Sequence, residues 1–374
     1  MARKLVFDRV LFTTVLLLVG LGLSVVYSAS TVLARERGLE YNPYFVKQCV
    51  AAAIGLAAMF VVMHTDYRLL ARPLVAYAML IGTLVLLVAV LFAPALNNSR
   101  RWLFVGGVSV QPSEVAKISL VAFIAYQIQR KKDRLSSYAF LIPASFATAL
   151  AATLVLMGGD LGTSVLLTIP PFLMIVLAGI SMRFLTIGAG MLLPILGVAV
   201  LLVPYRLERW AAFLDPEGDP LGSGFQVLQS LIAVGSGGLF GLGPGNSMQK
   251  LYFLPSPHAD FIFSIVAEEL GFAGALVLLG LFAVVLWRGV AAGVRAPDDL
   301  GRYLAWGATS LIVVQALLHV SVSLSLVPTT GVPLPLVSHG GSSLVTSLAV
   351  CGAILNVAKH GLSQHPLEES WLAA

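Results

Sequence analysis

The sequence predicts an all-α polytopic membrane protein with ten transmembrane helices, both termini cytoplasmic and one large external loop between helices 7 and 8. Three observations carry this. Only 23 Lys/Arg and 18 Asp/Glu occur in 374 residues, 11% of the chain, where soluble domains average about 25%. Hydrophobic residues make up 58% and the mean hydropathy is +0.92. The few charges bracket apolar windows near the roughly 20 residues that a helix needs to cross a bilayer. A water-facing surface cannot be built from so few charges, so a soluble fold is excluded. The net charge of +5 comes without a basic stripe interleaved with aromatics, which argues against nucleic acid as a partner. Cys49 and Cys351, both in apolar runs, form neither a disulfide framework nor a metal cluster.

The windows give the spans in order. Residues 10–34, 48–65 and 73–99 are free of charge, and 112–129 is interrupted only by Glu114 and Lys117. Residues 135–159, 161–182 and 184–205 supply the fifth, sixth and seventh spans. The eighth has a charge-free part at 270–287 and is expected to begin near Phe261. Residues 303–358 carry no charge and are long enough for two spans, with the Pro/Gly-rich stretch 328–341 as the loop between them. The first apolar run is too long for a signal-peptide core and reads as an uncleaved anchor.

Residues 220–249 are also charge-free, and the bias of Lys and Arg toward cytoplasmic loops decides how to read them. Ten spans place 14 Lys/Arg inside and 8 outside, whereas an extra span here would even the tally at 11 and 11. Residues 206–260 are therefore expected to form the external loop and 362–374 a short cytoplasmic tail, within one transmembrane domain covering 1–374.

Ionisable groups inside spans are expensive and mark function by default. Glu114, Lys117, Asp160, Asp260, Glu268 and Glu269 all fall toward the external side, and the inner halves of the helices show nothing comparable. That distribution suits chemistry on a membrane-held external substrate better than a transport site at the midplane. Glu114 and Lys117, spaced i, i+3, read as a structural ion pair. On one continuous helix Glu268 and Glu269 sit at about 80° and 180° from Asp260, with Glu268 roughly 12 Å below it, so they cannot share a face. Asp160 reads as an N-cap of the sixth span, with Gly158 and Gly159 making the turn, or as a substrate contact. His258, His319 and His339 show no metal-ligand spacing. The run Gly235 to Gly245 lacks the Gly-Lys-Ser/Thr ending of a nucleotide loop. Two readings stay open for it, a tight loop packed on helices or a backbone N–H cradle for a lipid pyrophosphate.

Several strings, in order along nearly the whole chain, resemble one family. They are Arg100-Arg-Trp-Leu-Phe-Val-Gly-Gly-Val-Ser-Val-Gln-Pro-Ser-Glu-Val-Ala-Lys117, Asp160-Leu-Gly-Thr163, Gly222-Ser-Gly-Phe-Gln226 and the glycine run. Gln249-Lys-Leu-Tyr-Phe-Leu-Pro-Ser-Pro-His-Ala-Asp-Phe-Ile-Phe263, Ala267-Glu-Glu-Leu-Gly271 and Gly331-Val-Pro-Leu-Pro-Leu-Val-Ser-His-Gly-Gly-Ser-Ser343 complete the set. The chain resembles the SEDS proteins, the polytopic peptidoglycan polymerases that include FtsW and RodA. Its Arg-Arg-Trp opening, Arg209-Trp-Ala-Ala-Phe-Leu-Asp-Pro216 and Asn246-Ser-Met-Gln-Lys250 look more like FtsW. It departs from the family pattern at Gly158-Gly159, where Gln-Pro is common, at Ala259, usually Thr, and at His339, usually Tyr.

The resemblance implies polymerisation of lipid II, an undecaprenyl-pyrophosphoryl disaccharide-pentapeptide, with Asp260 as the general base. The external cations Arg100, Arg101, Arg206, Arg209 and Lys250 are the candidates for the pyrophosphate, with Lys117, Glu268, Ser338 and Ser342 as further substrate contacts. A divalent cation, Mg or Mn, at the pyrophosphate is compatible with the family, although no ligand cluster predicts one. The partners implied are a class B penicillin-binding protein transpeptidase and other divisome membrane proteins, at the division septum of the bacterial cytoplasmic membrane. A lipid II flippase and a non-enzymatic scaffold that recruits the transpeptidase are the alternatives.

Overall fold

The computed structural model describes residues 7–36, 38–39, 41–95, 99–106, 108–135, 137–184, 186, 204–222, 224–251 and 253–364. The first six helices are α1 (Arg9–Glu36), α2 (Pro43–His64), α3 (Pro73–Leu91), α4 (Pro112–Arg130), α5 (Tyr138–Met157) and α6 (Leu161–Leu177). After them come α7 (Pro204–Leu214), α8 (Phe225–Ser236), α9 (Ile262–Val294), α10 (Asp299–Ser323) and α11 (Gly341–Gln364). A short antiparallel hairpin, β1 (Leu103–Val105) and β2 (Val108–Val110), precedes α4, with Phe104 opposite Ser109. Local chemistry sets several of these boundaries. Proline opens α2, α3 and α4, where its missing N–H is no loss. The side chains of Asn42, Asp160 and Asp298 cap α2, α6 and α10 by accepting backbone N–H groups.

Among the described residues seven helices are long and apolar enough to cross a membrane: α1, α2, α3, α5, α9, α10 and α11. The 17-residue α6 is shorter. The fourth expected span, α4, is buried along nearly its whole length at the centre of the bundle. It packs against α3, α5, α6 and α10, which is why it tolerates Glu114 and Lys117. The seventh expected span, 184–205, lies largely outside the described residues. In the 220–249 window, α8 has 12 residues, about 18 Å of helix, too short for a hydrocarbon core of about 30 Å.

Two expectations need correction. The eighth span is not one continuous helix from Phe261: α9 starts at Ile262 and breaks at Gly271, whose φ of 69° and ψ of −168° only glycine adopts without strain. Asp260 therefore sits in a turn ahead of the helix, and its ideal-helix spacing from Glu268 does not apply. The inner half is also not free of buried charge. Past the expected inner end of the span, α9 continues to Val294 and brings Arg288 against Asp8 at 2.6 Å, with both side chains buried. A buried guanidinium needs such a partner, and Asp8 at the same time accepts the N–H of Leu11 at the start of α1.

Candidate functional site

The glycine run folds as a clip across the break in α9. Leu242 and Gly243 donate their N–H groups to the carbonyls of Glu268 and Glu269, at 2.9 and 3.0 Å. In return Phe272 and Ala273 donate to the carbonyls of Gly238 and Leu239, at 2.9 and 3.0 Å. Groups orphaned by the break are thus satisfied on both sides. The approach is possible only without side chains. A Cβ on Gly271 would lie 2.3 Å from the Gly241 nitrogen, and one on Gly237 would lie 1.9 Å from the Ala267 carbonyl oxygen. Several of the run's N–H groups are therefore spent on protein carbonyls.

Just beyond the clip, Glu268 is fully buried. It accepts hydrogen bonds from the Ser247 hydroxyl and from the backbone N–H groups of Met248 and Gln249, so it holds the loop that carries Lys250. Lys250 is buried, its ammonium 2.8 Å from Glu269 and bonded to the Ser28 hydroxyl and the Gly245 carbonyl. Glu269 in turn accepts from Ser28 at 2.6 Å. This pair lies at a cavity of about 900 Å³ between α1 and residues 244–251, lined mainly by apolar side chains with Ser24, Thr31 and Asn246.

Asp260 belongs to a different cluster. Its carboxylate faces Gly331, where a Cβ would stand 4.0 Å from both oxygens. Arg209, Arg101 and Asp160 surround it electrostatically. Burial raises its pKa above the ordinary carboxylate value, Asp160 adds to the rise, and Arg209 and Arg101 oppose it. Asp160 itself is committed: Thr163 donates its N–H and its hydroxyl to the two carboxylate oxygens, and Arg101 lies at 3.5 Å. Arg101 also donates to the Gly159 carbonyl at 2.6 Å, while its buried Nε has no hydrogen-bond partner. Arg209 donates to the Thr329 carbonyl at 2.8 Å. At Gly158 a Cβ would meet the Arg100 carbonyl oxygen at 2.7 Å, so a side chain there would force the Arg100 backbone to move.

The remaining candidates are dispersed. Arg100 is exposed and donates to the Leu91 carbonyl, and Arg206 donates to that of Leu156. Lys117 is buried between Glu114 and Gln315, at 2.8 and 2.9 Å. Ser342 bridges the Gln111 N–H and the Ser109 carbonyl at the hairpin. Ser338 reaches the Asp260 turn, its hydroxyl donating to the Ala259 carbonyl at 2.8 Å. His258, His339 and Tyr44 meet as three rings with centroids 4.9 to 5.7 Å apart, beside the same turn. Among the described residues no group of three or more His, Cys, Asp or Glu side chains comes together. With the Asp160 oxygens spent on Thr163 and Arg101, the carboxylates at hand do not make a protein-held cation site.

Sequence reasoning missed the segment 324–340 as the hub of the site. Its carbonyls accept from Arg209 at Thr329, from His319 at Val332 and from Gln315 at Pro333. Buried Gln and His in otherwise apolar windows were the available signal. The family of cell cycle proteins that comprises FtsW, RodA and SpoVE matches residues 8–362. The chain belongs to this family. Stage V sporulation protein E of Bacillus subtilis is 40% identical over 358 residues, covering 94% of this chain and 97% of that protein. A probable peptidoglycan glycosyltransferase FtsW of Trichlorobacter lovleyi is 38% identical, covering 96% and 95%. Among solved SEDS-like structures, a chain of a peptidoglycan synthase complex superposes with a TM-score of 0.78 at 33% identity, covering 96% of this chain and 99% of that one. RodA of Thermus thermophilus gives 0.69 at 29% identity, covering 95% and 97%.

Proposed function

We propose that this SEDS protein is an inverting peptidoglycan glycosyltransferase that polymerises lipid II at the outer face of the cytoplasmic membrane, with Asp260 as the general base. One observation carries the residue assignment. Asp260 is a partly buried carboxylate with raised proton affinity, within the electrostatic reach of Arg209 and Arg101, in a turn ahead of α9. In the reaction the acceptor's GlcNAc 4-hydroxyl attacks the anomeric carbon of the donor's MurNAc and its proton passes to the Asp260 carboxylate. The bond to the lipid pyrophosphate breaks with inversion at that carbon. Burial makes Asp260 a stronger base than an ordinary aspartate of pKa about 3.9, while Arg101 and Arg209 keep its ionised form accessible. The same two guanidiniums are suited to the charge that develops on the leaving pyrophosphate. Arg101 is already oriented by Asp160 and the Gly159 carbonyl.

Ten spans with both termini cytoplasmic remain our reading of the topology. The lengths of the seven apolar helices, the central position of α4 and the shortness of α8 support it, together with the Lys/Arg asymmetry. A single domain with an external loop at 206–260 is part of the same proposal. So are a class B penicillin-binding protein partner, for which the peptidoglycan synthase complex is the support, and a place at the septum.

The test is purified protein in liposomes given lipid II only on the outside. Glycan chains are the expected product. Transbilayer movement of lipid II without chains would replace this reading with the flippase.

A further inference from the structure

Gln48 lies in the second turn of α2, within an apolar window, and is 1% exposed. Its amide makes two hydrogen bonds to one backbone turn. Nε2 donates to the Ser338 carbonyl at 2.9 Å, and Oε1 accepts the Gly340 N–H at 3.2 Å. Donor and acceptor are thus matched two residues apart, which fixes the amide's orientation and needs the full length of a glutamine. The clamped turn then grips the segment that ends in Asp260. The Ser338 hydroxyl accepts the Leu334 N–H at 2.8 Å and donates to the Ala259 carbonyl at 2.8 Å. The His339 N–H donates to the His258 carbonyl at 2.9 Å.

The same segment also approaches Asp260 itself. Gly331 lies opposite its carboxylate, and the Thr329 carbonyl holds Arg209. His319 and Gln315 on α10 secure the segment at Val332 and Pro333; Gln48 secures its far end on α2. That helix is a firm support, because α2 and α11 meet so closely that a Cβ on Gly352 would lie 2.6 Å from the Met59 carbonyl oxygen.

We propose that Gln48 is a positioning residue for the polymerase reaction, its amide clamping residues 338–340 to α2 and so setting the place of the Asp260 carboxylate relative to Arg101 and Arg209. The inference rests on the activity proposed above, and it concerns a residue that touches no substrate. Gln48→Leu removes both hydrogen bonds. Gln48→Glu keeps shape and volume but turns an acceptor toward the Ser338 carbonyl. Gln48→Asn is one methylene too short to span the turn. A displacement of about 1 Å at a reacting group costs on the order of 10²-fold in rate.

The experiment uses full-length protein in liposomes with purified lipid II, and measures kcat, KM and the pH–rate profile beside the thermal unfolding of each variant. The expected result is a 10- to 100-fold fall in kcat for both Gln48→Leu and Gln48→Glu, with KM within about threefold of wild type. The acidic limb of the profile should move to lower pH, because a loosened turn admits water to Asp260 while Arg101 and Arg209 stay near it and Asp160 stays committed to Thr163. Gln48→Asn should resemble Gln48→Leu. Wild-type kcat and an unmoved acidic limb in Gln48→Glu would overturn the assignment. So would losses that follow only the folded fraction at every pH. Failure of the wild-type protein itself to make chains would instead remove the activity on which the inference stands.

Discussion

Gly271→Ala should disrupt the glycine clip and the Glu268–Lys250 cluster beside it, and its cost can be worked from the backbone. Residue 271 has φ 69° and ψ −168°, a region essentially closed to side chains, at about 1–3 kcal/mol. The new Cβ would stand 2.3 Å from the Gly241 nitrogen and 2.6 Å from that of Phe240. Both are main-chain atoms, so the clip must back away rather than a side chain turn aside. Overpacking of this kind adds about 1–3 kcal/mol. Retreat also weakens the four hydrogen bonds that Leu242, Gly243, Phe272 and Ala273 make across the break, each worth about 0.5–1.5 kcal/mol. Even the low end of these terms passes 3 kcal/mol, on the order of a 10²-fold shift in the folded ratio. The control lies on the same helix. Gly280 has nothing within 4 Å of its Cβ position, so Gly280→Ala should be neutral or stabilising by up to about 1 kcal/mol. Thermal unfolding in detergent, with limited proteolysis of the 225–260 region, reads both. Equal melting temperatures for the two variants would refute the reasoning about the clip.

Three further outcomes follow from the buried charges. Glu268→Gln turns a donor toward a turn that offers Glu268 only donors, Ser247, Met248 and Gln249; it should lose about 1–3 kcal/mol in thermal unfolding. Lys250→Met leaves Glu269 buried beside Ser28 without its cation and should cost about 3–5 kcal/mol, with Lys250→Met/Glu269→Leu recovering much of that in the same assay. Because folding raises the pKa of Asp260, its contribution to stability is fully present below the unfolded-state value and is lost as pH rises through the folded one. At neutral pH the ionised carboxylate is therefore a cost, and Asp260→Asn should melt higher than wild type there, with the difference vanishing in acid.

The parts of this protein that were legible in its sequence are those set by local composition. Charge-free windows located α1, α2, α3, α5, α10 and α11, because bilayer thickness fixes the length of an apolar run. The spacing of Glu114 and Lys117 put them on one helix face, and the position of Asp160 ahead of an apolar run announced a cap. What stayed hidden depends on partners far apart in the chain. Lys250 looks like a free external cation until Glu269 and Ser28 close around it. Asp8 and Arg288 look like boundary charges until α9 carries the one to the other. Gln48 sits in an apolar run and gains its meaning only when α2 packs beside α11 and meets the 338–340 turn. The break at Gly271 hides in a motif whose flanks are helical on both sides, and only the glycine run 30 residues earlier explains it.

The most direct measurement is the rate of lipid II polymerisation by wild type and by Asp260→Asn in liposomes at neutral pH, normalised to folded protein. A general base at Asp260 predicts a loss of about 10²–10⁴-fold in the variant, with insertion and folding intact. Chain synthesis by Asp260→Asn at the wild-type rate would contradict the role assigned to Asp260.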